Sequence, residues 1–563
     1  MTESQKDNKR SLSGIAFLFS RGTRWGVDLL FLSLMFGSVY LQTLGRFSLL
    51  EPDEGRYAEI PREMLELGDY ITPHLNYVKY FEKPPLLYWL NALSMKLFGL
   101  TEFAARFPTA LCGVGTILFI YYLGRKLFGR TEGLVSALIL GSCVGFMVQS
   151  RIVTTDVVLT FCLTVALGSF LLAATYERQR IPHASLGSIA TALAVLAKGL
   201  IGIVVPVAVI ALFICITRRW RLLRQMHLLW GLAIFILLAV PWFLAVSLRN
   251  PEFPHFFFIH EHFERYLTTV HRRFQPFWFF IPVLFAGMLP WSPLVPYVWL
   301  RAWRLRHTGP KGETRLYLLL WATFVFLFFS ASNSKIILYI LPIYPAIALL
   351  VGDMVVDALE RITTGLTLSL RIMGGVMLLL GIAGCFAAPS VTEHVVSGPA
   401  GLLIGALLSS QGIAALRSAT SHDITGLVPC VVISGLLVML IGVPMICEPL
   451  AEQRGLKTLG EKIRLIVPPD TPVVSQGLRQ GLSFYARRRI IILEQPGETA
   501  FGFMHGDHSR WLIGCQSFHE LWNSEKPVFA VVKHEYLKEL LILTPTAPHI
   551  YLQNSKFVLI GNR

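Results

Sequence analysis

Ten residues, EPDEGRYAEI at 51 to 60, carry four acidic side chains and one arginine directly after an apolar stretch long enough to cross a membrane. Ionisable groups beside lipid are costly unless they face water, a partner or a substrate, so such a cluster is a functional candidate. Its members are Asp53, Glu54, Arg56, Tyr57 and Glu59. Three further groupings resemble it: Tyr80, Glu82 and Lys83 in YFEKPPL; Asp156 and Lys198 at the ends of apolar segments; and HEHFERYLTTVHRR, with His260, Glu261, His262, Arg265, His271, Arg272 and Arg273. SNSKIILYILPIYP adds Lys335 and Tyr339. Lysines and arginines at a membrane surface suit a phosphate carried on a lipid, each charge-assisted hydrogen bond contributing about 1.5 to 3 kcal/mol. Carboxylates beside them suit proton transfer, a metal or an amine. If a sugar is attached to that phosphate, breaking its anomeric C–O bond places positive charge on the sugar and negative charge on the departing phosphate. The same cations then stabilise the leaving group electrostatically.

Each grouping also has a purely structural explanation. Asp53 could cap the helix that follows it. Lys198 and Lys335 could be snorkelling anchors at span ends, and Pro84 and Pro85 could serve only to break a helix. A histidine in HEHF could be a hydrogen-bonding group rather than a ligand, and FWFF at 277 to 280 reads as an interfacial aromatic belt. Convergence argues against these explanations taken together, because the charges are expected on one side of one membrane.

That expectation follows from composition and charge placement. The chain has 563 residues, 54% hydrophobic and 15% charged, with a mean hydropathy of +0.57, which describes a multi-span membrane protein. Apolar segments near 25–44, 103–123, 133–149, 157–175, 183–197, 199–216, 227–248, 276–300, 316–331, 336–354, 372–388, 398–416 and 425–446 make about thirteen helices. Basic residues mark alternate loops: Arg125, Lys126 and Arg130; Arg178 and Arg180; Arg218, Arg219, Arg221 and Arg224; then Arg301, Arg304, Arg306, Lys311 and Arg315. By the positive-inside rule the amino terminus is cytoplasmic, and 45–102, 249–275 and everything after about 447 lie on the far side. The first span is too long for a secretory signal and lacks a small-residue cleavage site, so it reads as a retained anchor. The net charge of +15 belongs largely to cytoplasmic loops facing anionic lipid and implies no nucleic-acid partner. Of eight cysteines only Cys447 and Cys515 fall outside the expected spans.

Within 45–102, Tyr57, Ile60, Met64 and Leu67 share one face of an expected amphipathic helix ending at Gly68. LLYWLNALSMKLF, 86 to 98, is apolar but too short to span, and suits a helix lying in the interface. The two would form a lid along the membrane surface. After 447 the pattern changes to short strand-like runs, TPVVSQGL, RIIILEQ, RWLIGC, PVFAVV, HIYLQ and KFVLIG, with helix-like SFHELWNS and HEYLKELL between them. The expected organisation is a transmembrane catalytic domain over 1–446 and a small α/β domain over 447–563, closed by a hairpin around Asn554 and Ser555.

EPDEGRYAEIPREMLELGDYITPHLNYVKYFEKPPLLYWL, HEHFERYLTTVHRRFQPFWFF and SNSKIILYILPIYPAIALL resemble the lipid-linked-sugar glycosyltransferases of the GT-C fold. Within that group the chain is most similar to the bacterial aminoarabinose transferases that modify lipid A, relatives of the protein O-mannosyltransferases. The resemblance implies an α-helical polytopic membrane protein of the bacterial inner membrane, with a periplasmic site and a periplasmic carboxy-terminal domain. It implies inverting transfer from an undecaprenyl-phosphate-linked sugar to lipid A by a chain expected to be a monomer. Mapped onto this sequence, Asp53, Glu82, Lys83 and Asp156 would be catalytic, with Lys83 gripping the donor phosphate. Arg56, Tyr57, Tyr80, Lys198, His260, His262, Arg265, Lys335 and Tyr339 would bind substrate. No cofactor is required outright; Asp53 and Glu82 could hold a divalent metal ion, or instead the acceptor. Two alternatives remain open on the sequence: a related transferase using another sugar or a protein hydroxyl, and a lipid or sugar transporter. Transporters gather polar residues near the bilayer midplane, whereas here they gather at one surface.

Overall fold

The computed structural model describes residues 25–264, 274–390, 398–442, 444–445, 448, 451, 455–537 and 548–563. Among them, eight helices are long and apolar enough to cross a membrane, from Glu102–Leu127 to Ala400–Ser421, and Trp25–Leu41, Ile201–Thr217, Phe277–Gly287 and Leu427–Gly442 are shorter apolar helices. Together with Arg130–Ser142 they account for each of the apolar segments. Two segments are interrupted where an unbroken helix was expected. The run 133–149 breaks at Cys143, giving Arg130–Ser142 and Val144–Gln149. The run 276–300 gives Phe280–Gly287 and Val295–Arg304, because Pro290 and Pro293 remove amide donors between them. The breaks adjoin: Val144 N donates to Leu289 O at 3.0 Å, so backbone groups freed from one helix are satisfied inside the protein.

Thr155–Thr175 and Ile337–Asp357 are enclosed by other helices, whereas Leu228–Arg249 stands at the perimeter. Asp156 lies in the first turn of Thr155–Thr175, and Lys198 is the last residue of Arg180–Lys198. Each charge therefore sits at the helix end whose dipole favours it.

The first loop holds the helix Asp53–Leu67, the two-residue strands β1 (His74–Leu75) and β2 (Val78–Lys79), and the helix Leu86–Phe98. Gly68 ends the first of these in the left-handed region, φ 68°, as expected of that residue type. The expected amphipathic face is correct, but every residue from Glu54 to Met64 is buried, so the helix is not a surface lid. Its other face is covered by the carboxy-terminal helix Gln480–Ala486. Gly55 is needed there: a Cβ on it would lie 2.6 Å from the Gly481 amide nitrogen. Leu86–Phe98 matches the interfacial expectation, with Leu93 and Leu97 exposed and Asn91 Nδ2 donating to Tyr57 O across the helix pair at 3.0 Å.

Strands β3 (Val473–Gln476), β4 (Ile491–Leu493), β5 (Leu512–Ile513), β6 (Phe529–Lys533), β7 (His549–Gln553) and β8 (Phe557–Gly561) form one sheet. Its order is β5-β4-β3-β6-β8-β7. β3 runs parallel to β4 and β6, β4 parallel to β5, and β8 antiparallel to β6 and β7. Alternation assigns Val473, Val531 and Leu559 to a core beneath Leu459 and Ile463, and Val474, Ala530, Val532 and Val558 to one with Phe518 and Trp522. Reciprocal bonds dock this sheet on the first loop: Asn76 Nδ2 to Ile490 O at 2.9 Å and Ile490 N to Asn76 Oδ1 at 3.0 Å.

One buried acid in the first loop makes a stability prediction. Arg62 bonds Glu59 twice at 2.7 Å, while Glu63 has only the Tyr77 amide on one oxygen, 2.9 Å, and no partner for the other among the described residues. Burial, reinforced by the Glu59 carboxylate, pushes Glu63 well above the ordinary range. The folded state thus binds the proton more tightly than the unfolded one. This contribution to stability is full below the ordinary carboxylate value and declines as pH rises through the raised one. Glu63→Gln is expected to flatten the loss of thermal stability in detergent as pH rises above the ordinary carboxylate range. Parallel melting curves for variant and wild type across that range would count against it.

Candidate active site

Arg56, one turn into the helix Asp53–Leu67, is the centre of the charge cluster. Its Nη2 bonds Asp53, three residues back, so Asp53 is engaged with a cation rather than capping the helix. Its Nη1 lies 2.6 Å from Glu498 Oε1, 3.1 Å from Tyr80 Oη and 3.7 Å from Glu82 Oε2. The guanidinium also stacks 4.7 Å from the Tyr57 ring centroid. Burial works against its charge, but the groups around it, the Glu498 and Glu82 carboxylates among them, outweigh that and hold Arg56 above its ordinary value. Burial likewise pushes the Tyr57, Tyr80 and Tyr88 hydroxyls up, so all three are donors at neutral pH. Glu498 is pushed up by burial, with Arg56 pulling the other way. Two buried donors at this centre, Arg56 Nε and Tyr88 Oη, have no partner among the described residues.

Glu82 and Lys83 diverge from one point in the chain. Glu82 faces Arg56, while Lys83 Nζ donates to the Glu82 carbonyl at 2.8 Å and lies 3.7 Å from Glu261 Oε2. Glu261 belongs to the π-helix His255–Glu264, on which His260 Nδ1 contacts Glu264 at 2.7 Å. A second pair stands beside the first centre. Lys198 is ion-paired with Asp156 and sits 4.5 Å from the Tyr339 ring centroid. Burial raises the Tyr57 hydroxyl first of all, with Asp53, Asp156 and Glu82 adding to the effect and Arg56 opposing it. Lys335 is not an exposed anchor: it is buried and donates to Ser332 O at 2.5 Å and Gln275 O at 2.8 Å, holding a loop. Arg265 and the block His271–Arg273 lie outside the described residues, as does the side chain of His262.

Sequence reasoning did not single out Glu498. It lies in a short 3₁₀ turn, Gly497–Thr499, more than 400 residues from Arg56, and a lone acid after Pro-Gly carries no chemical signature. Glu54 proves structural. It forms a fully buried pair with Arg106 at 2.6 Å and accepts from Val153 N at 2.9 Å, tying the first-loop helix to the start of the helix that bears Asp156. The metal reading of Asp53 and Glu82 meets a competitor, since both carboxylates already face the Arg56 guanidinium. Among the described residues no three His, Cys, Asp or Glu side chains converge as a metal set.

This arrangement offers cations at the membrane surface for an anionic group, and three carboxylates around one guanidinium for a cationic one. Residues 82–244 match the family described as dolichyl-phosphate-mannose-protein mannosyltransferase, and residues 459–562 match the aminoarabinose transferase C-terminal domain. The undecaprenyl phosphate-α-4-amino-4-deoxy-L-arabinose arabinosyl transferase of Aeromonas salmonicida is 31% identical over 504 residues, 86% of this chain and 88% of its own length. The crystal structure of ArnT from Cupriavidus metallidurans bound to undecaprenyl phosphate superposes with a TM-score of 0.82 at 28% identity, covering 95% of this chain and 98% of that one. An Archaeoglobus fulgidus oligosaccharyltransferase shares the fold alone, with a TM-score of 0.53 at 13% identity over 96% of this chain and 74% of that one. By sequence along most of its length and by fold along nearly all of it, the chain belongs to the undecaprenyl phosphate-α-4-amino-4-deoxy-L-arabinose arabinosyl transferases, membrane-embedded glycosyltransferases.

Proposed function

We propose that the protein moves 4-amino-4-deoxy-L-arabinose from undecaprenyl phosphate to a phosphate of lipid A, with inversion, at the periplasmic face of the bacterial inner membrane. The observation that supports this most is the Arg56 centre. Asp53, Glu82 and Glu498 set three carboxylates around a single guanidinium, an excess of negative charge that suits a protonated sugar amine. Lys83, bonded to the Glu82 carbonyl, would take the donor phosphate. Tyr88 Oη and Arg56 Nε are donors left over for sugar oxygens after a modest side-chain shift. An oxygen of the acceptor phosphate attacks the anomeric carbon, the C–O bond to undecaprenyl phosphate breaks, and the bonding pair leaves with that phosphate. Cations near it lower the barrier by stabilising the charge that develops.

The test is transfer of labelled sugar from purified polyprenyl-phosphate donors to lipid A in detergent. Transfer of aminoarabinose to lipid A phosphate is expected; transfer only to protein hydroxyls, as the mannosyltransferase likeness over 82–244 would suggest, overturns the acceptor assignment. Glu498→Gln sharpens the sugar assignment. Loss of one charge-assisted bond to the amine should raise the donor KM roughly ten- to a hundredfold, with a far smaller effect on a donor bearing a hydroxyl in place of the amine. Equal losses for both donors would remove Glu498 from amine recognition.

A further inference from the structure

We infer that Glu261 is a positioning residue that, acting beside Lys83, weakens the hold of the site on the lipid phosphate left behind by transfer more than its hold on the donor. The inference rests on the reading of Lys83 as the cation that takes the donor phosphate. Lys83 is not left to solvent: its ammonium lies 3.7 Å from Glu261 Oε2, and the Glu261 side chain is only 2% exposed. The Glu82 carbonyl fixes the same ammonium from another side at 2.8 Å. Both partners stand on one packed aromatic base. Phe81, two residues before Lys83, meets Phe253 at 5.2 Å, and Phe253 stacks on Phe257, also at 5.2 Å, in the π-helix that carries Glu261. Leu196 and Trp242 complete that cluster. A phosphate arriving at Lys83 therefore arrives beside a carboxylate held in place.

The charge on that phosphate changes during the reaction. The donor is a phosphodiester with one negative charge. Once the anomeric C–O bond breaks and its electron pair stays with undecaprenyl phosphate, the departing lipid is a monoester, whose second ionisation near pH 6 gives it close to two charges at neutral pH. The acceptor phosphate undergoes the opposite change, from monoester to diester. Total charge is conserved while one unit moves to the Lys83 side. Glu261 opposes both phosphates, but the monoester more. One extra unit charge at about 7 Å, in a medium of effective dielectric about 20, corresponds to a factor of ten or more in relative affinity. The carboxylate thereby favours release of spent carrier, and Lys83 retains enough attraction for the donor.

The experiment compares the full-length wild type with Glu261→Gln and Glu261→Asp, measuring binding of undecaprenyl phosphate and of the aminoarabinose-loaded donor, together with single- and multiple-turnover rates. Glu261→Gln should tighten donor binding about tenfold and undecaprenyl phosphate binding about a hundredfold, so that their ratio shifts about tenfold. Its single-turnover rate should not fall, and undecaprenyl phosphate should inhibit its multiple-turnover rate at lower concentration. Glu261→Asp, which keeps the charge, should retain the wild-type preference. If Glu261→Gln changes both affinities by the same factor, weakens undecaprenyl phosphate binding, or leaves the ratio as in the wild type, the inference is overturned. A wild type that transfers a different sugar, yet whose Glu261→Gln form tightens more on undecaprenyl phosphate than on its donor, would sink the sugar assignment and leave this inference standing. An active aminoarabinose transferase with an unshifted ratio would sink the inference alone.

Discussion

Replacing Lys83 with alanine is expected to lower sugar transfer by about a hundred- to a thousandfold, with the loss mainly in kcat. Removing one preorganised donor aimed at developing negative charge has effects of this size elsewhere, and Lys83 is the cation proposed above for the donor phosphate. Its neighbours are engaged by carboxylates of their own. Lys198 is held by Asp156, and Arg56 is surrounded by Asp53, Glu82, Glu498 and Tyr80. Lys83→Arg should recover only part of the rate, because a planar fork does not reproduce a compact ammonium bonded to the Glu82 carbonyl at 2.8 Å. The Lys83→Ala protein is expected to fold, since the aromatic cluster beside it is built on Phe81. Initial rates on saturating donor, with thermal melts as a control, decide the matter. A residual rate above about a tenth of wild type in a folded Lys83→Ala protein would take Lys83 out of the reaction.

Which parts of this were legible in the sequence follows from the range of the interaction. The helix Asp53–Leu67 could be read from Tyr57, Ile60 and Met64 at helical spacing and from Gly68, because periodicity and a glycine stop are local. Its burial on both faces could not, since the covering helix Gln480–Ala486 lies over 400 residues away. The strands of the carboxy-terminal sheet were visible as short β-branched runs, whereas their order, with β3 in the interior and β5 and β7 at the edges, is set by tertiary packing. The breaks at Cys143 and around Pro290 were not legible, because hydropathy records how apolar a segment is, not whether its helix is continuous.

The same distinction holds for the site. Arg56, Glu82 and Lys83 stood out as charges crowded near an expected membrane surface, and the fold places them together. Asp156 and Lys198 proved to be partners of each other, which their positions at opposite ends of two neighbouring spans permitted but did not require. Lys335, by contrast, has the right residue type in the right neighbourhood but serves main-chain carbonyls. Glu498 contributes a carboxylate that only three-dimensional proximity to Arg56 makes meaningful.

Asp53 separates the two chemistries that this site could perform. A serine or threonine acceptor must lose a proton as it attacks, and a general base contributes about a hundred- to ten-thousandfold. A phosphate acceptor is already ionised near neutral pH and needs none. The Asp53 side chain is 53% exposed and bonded to Arg56, an arrangement that suits orienting a cation better than taking a proton. Asp53→Asn is expected to reduce transfer at least a hundredfold under either chemistry, so the rate at one pH cannot distinguish them. The pH profile can. With lipid A as acceptor, the acidic limb that the acceptor contributes to kcat is the second ionisation of its phosphate, near pH 6. That limb should persist at the same pH in Asp53→Asn, and it should move when the acceptor phosphate is exchanged for one of different acidity. A limb present in the wild type but absent from Asp53→Asn would identify Asp53 as the base. It would transfer the acceptor role from a lipid phosphate to a hydroxyl.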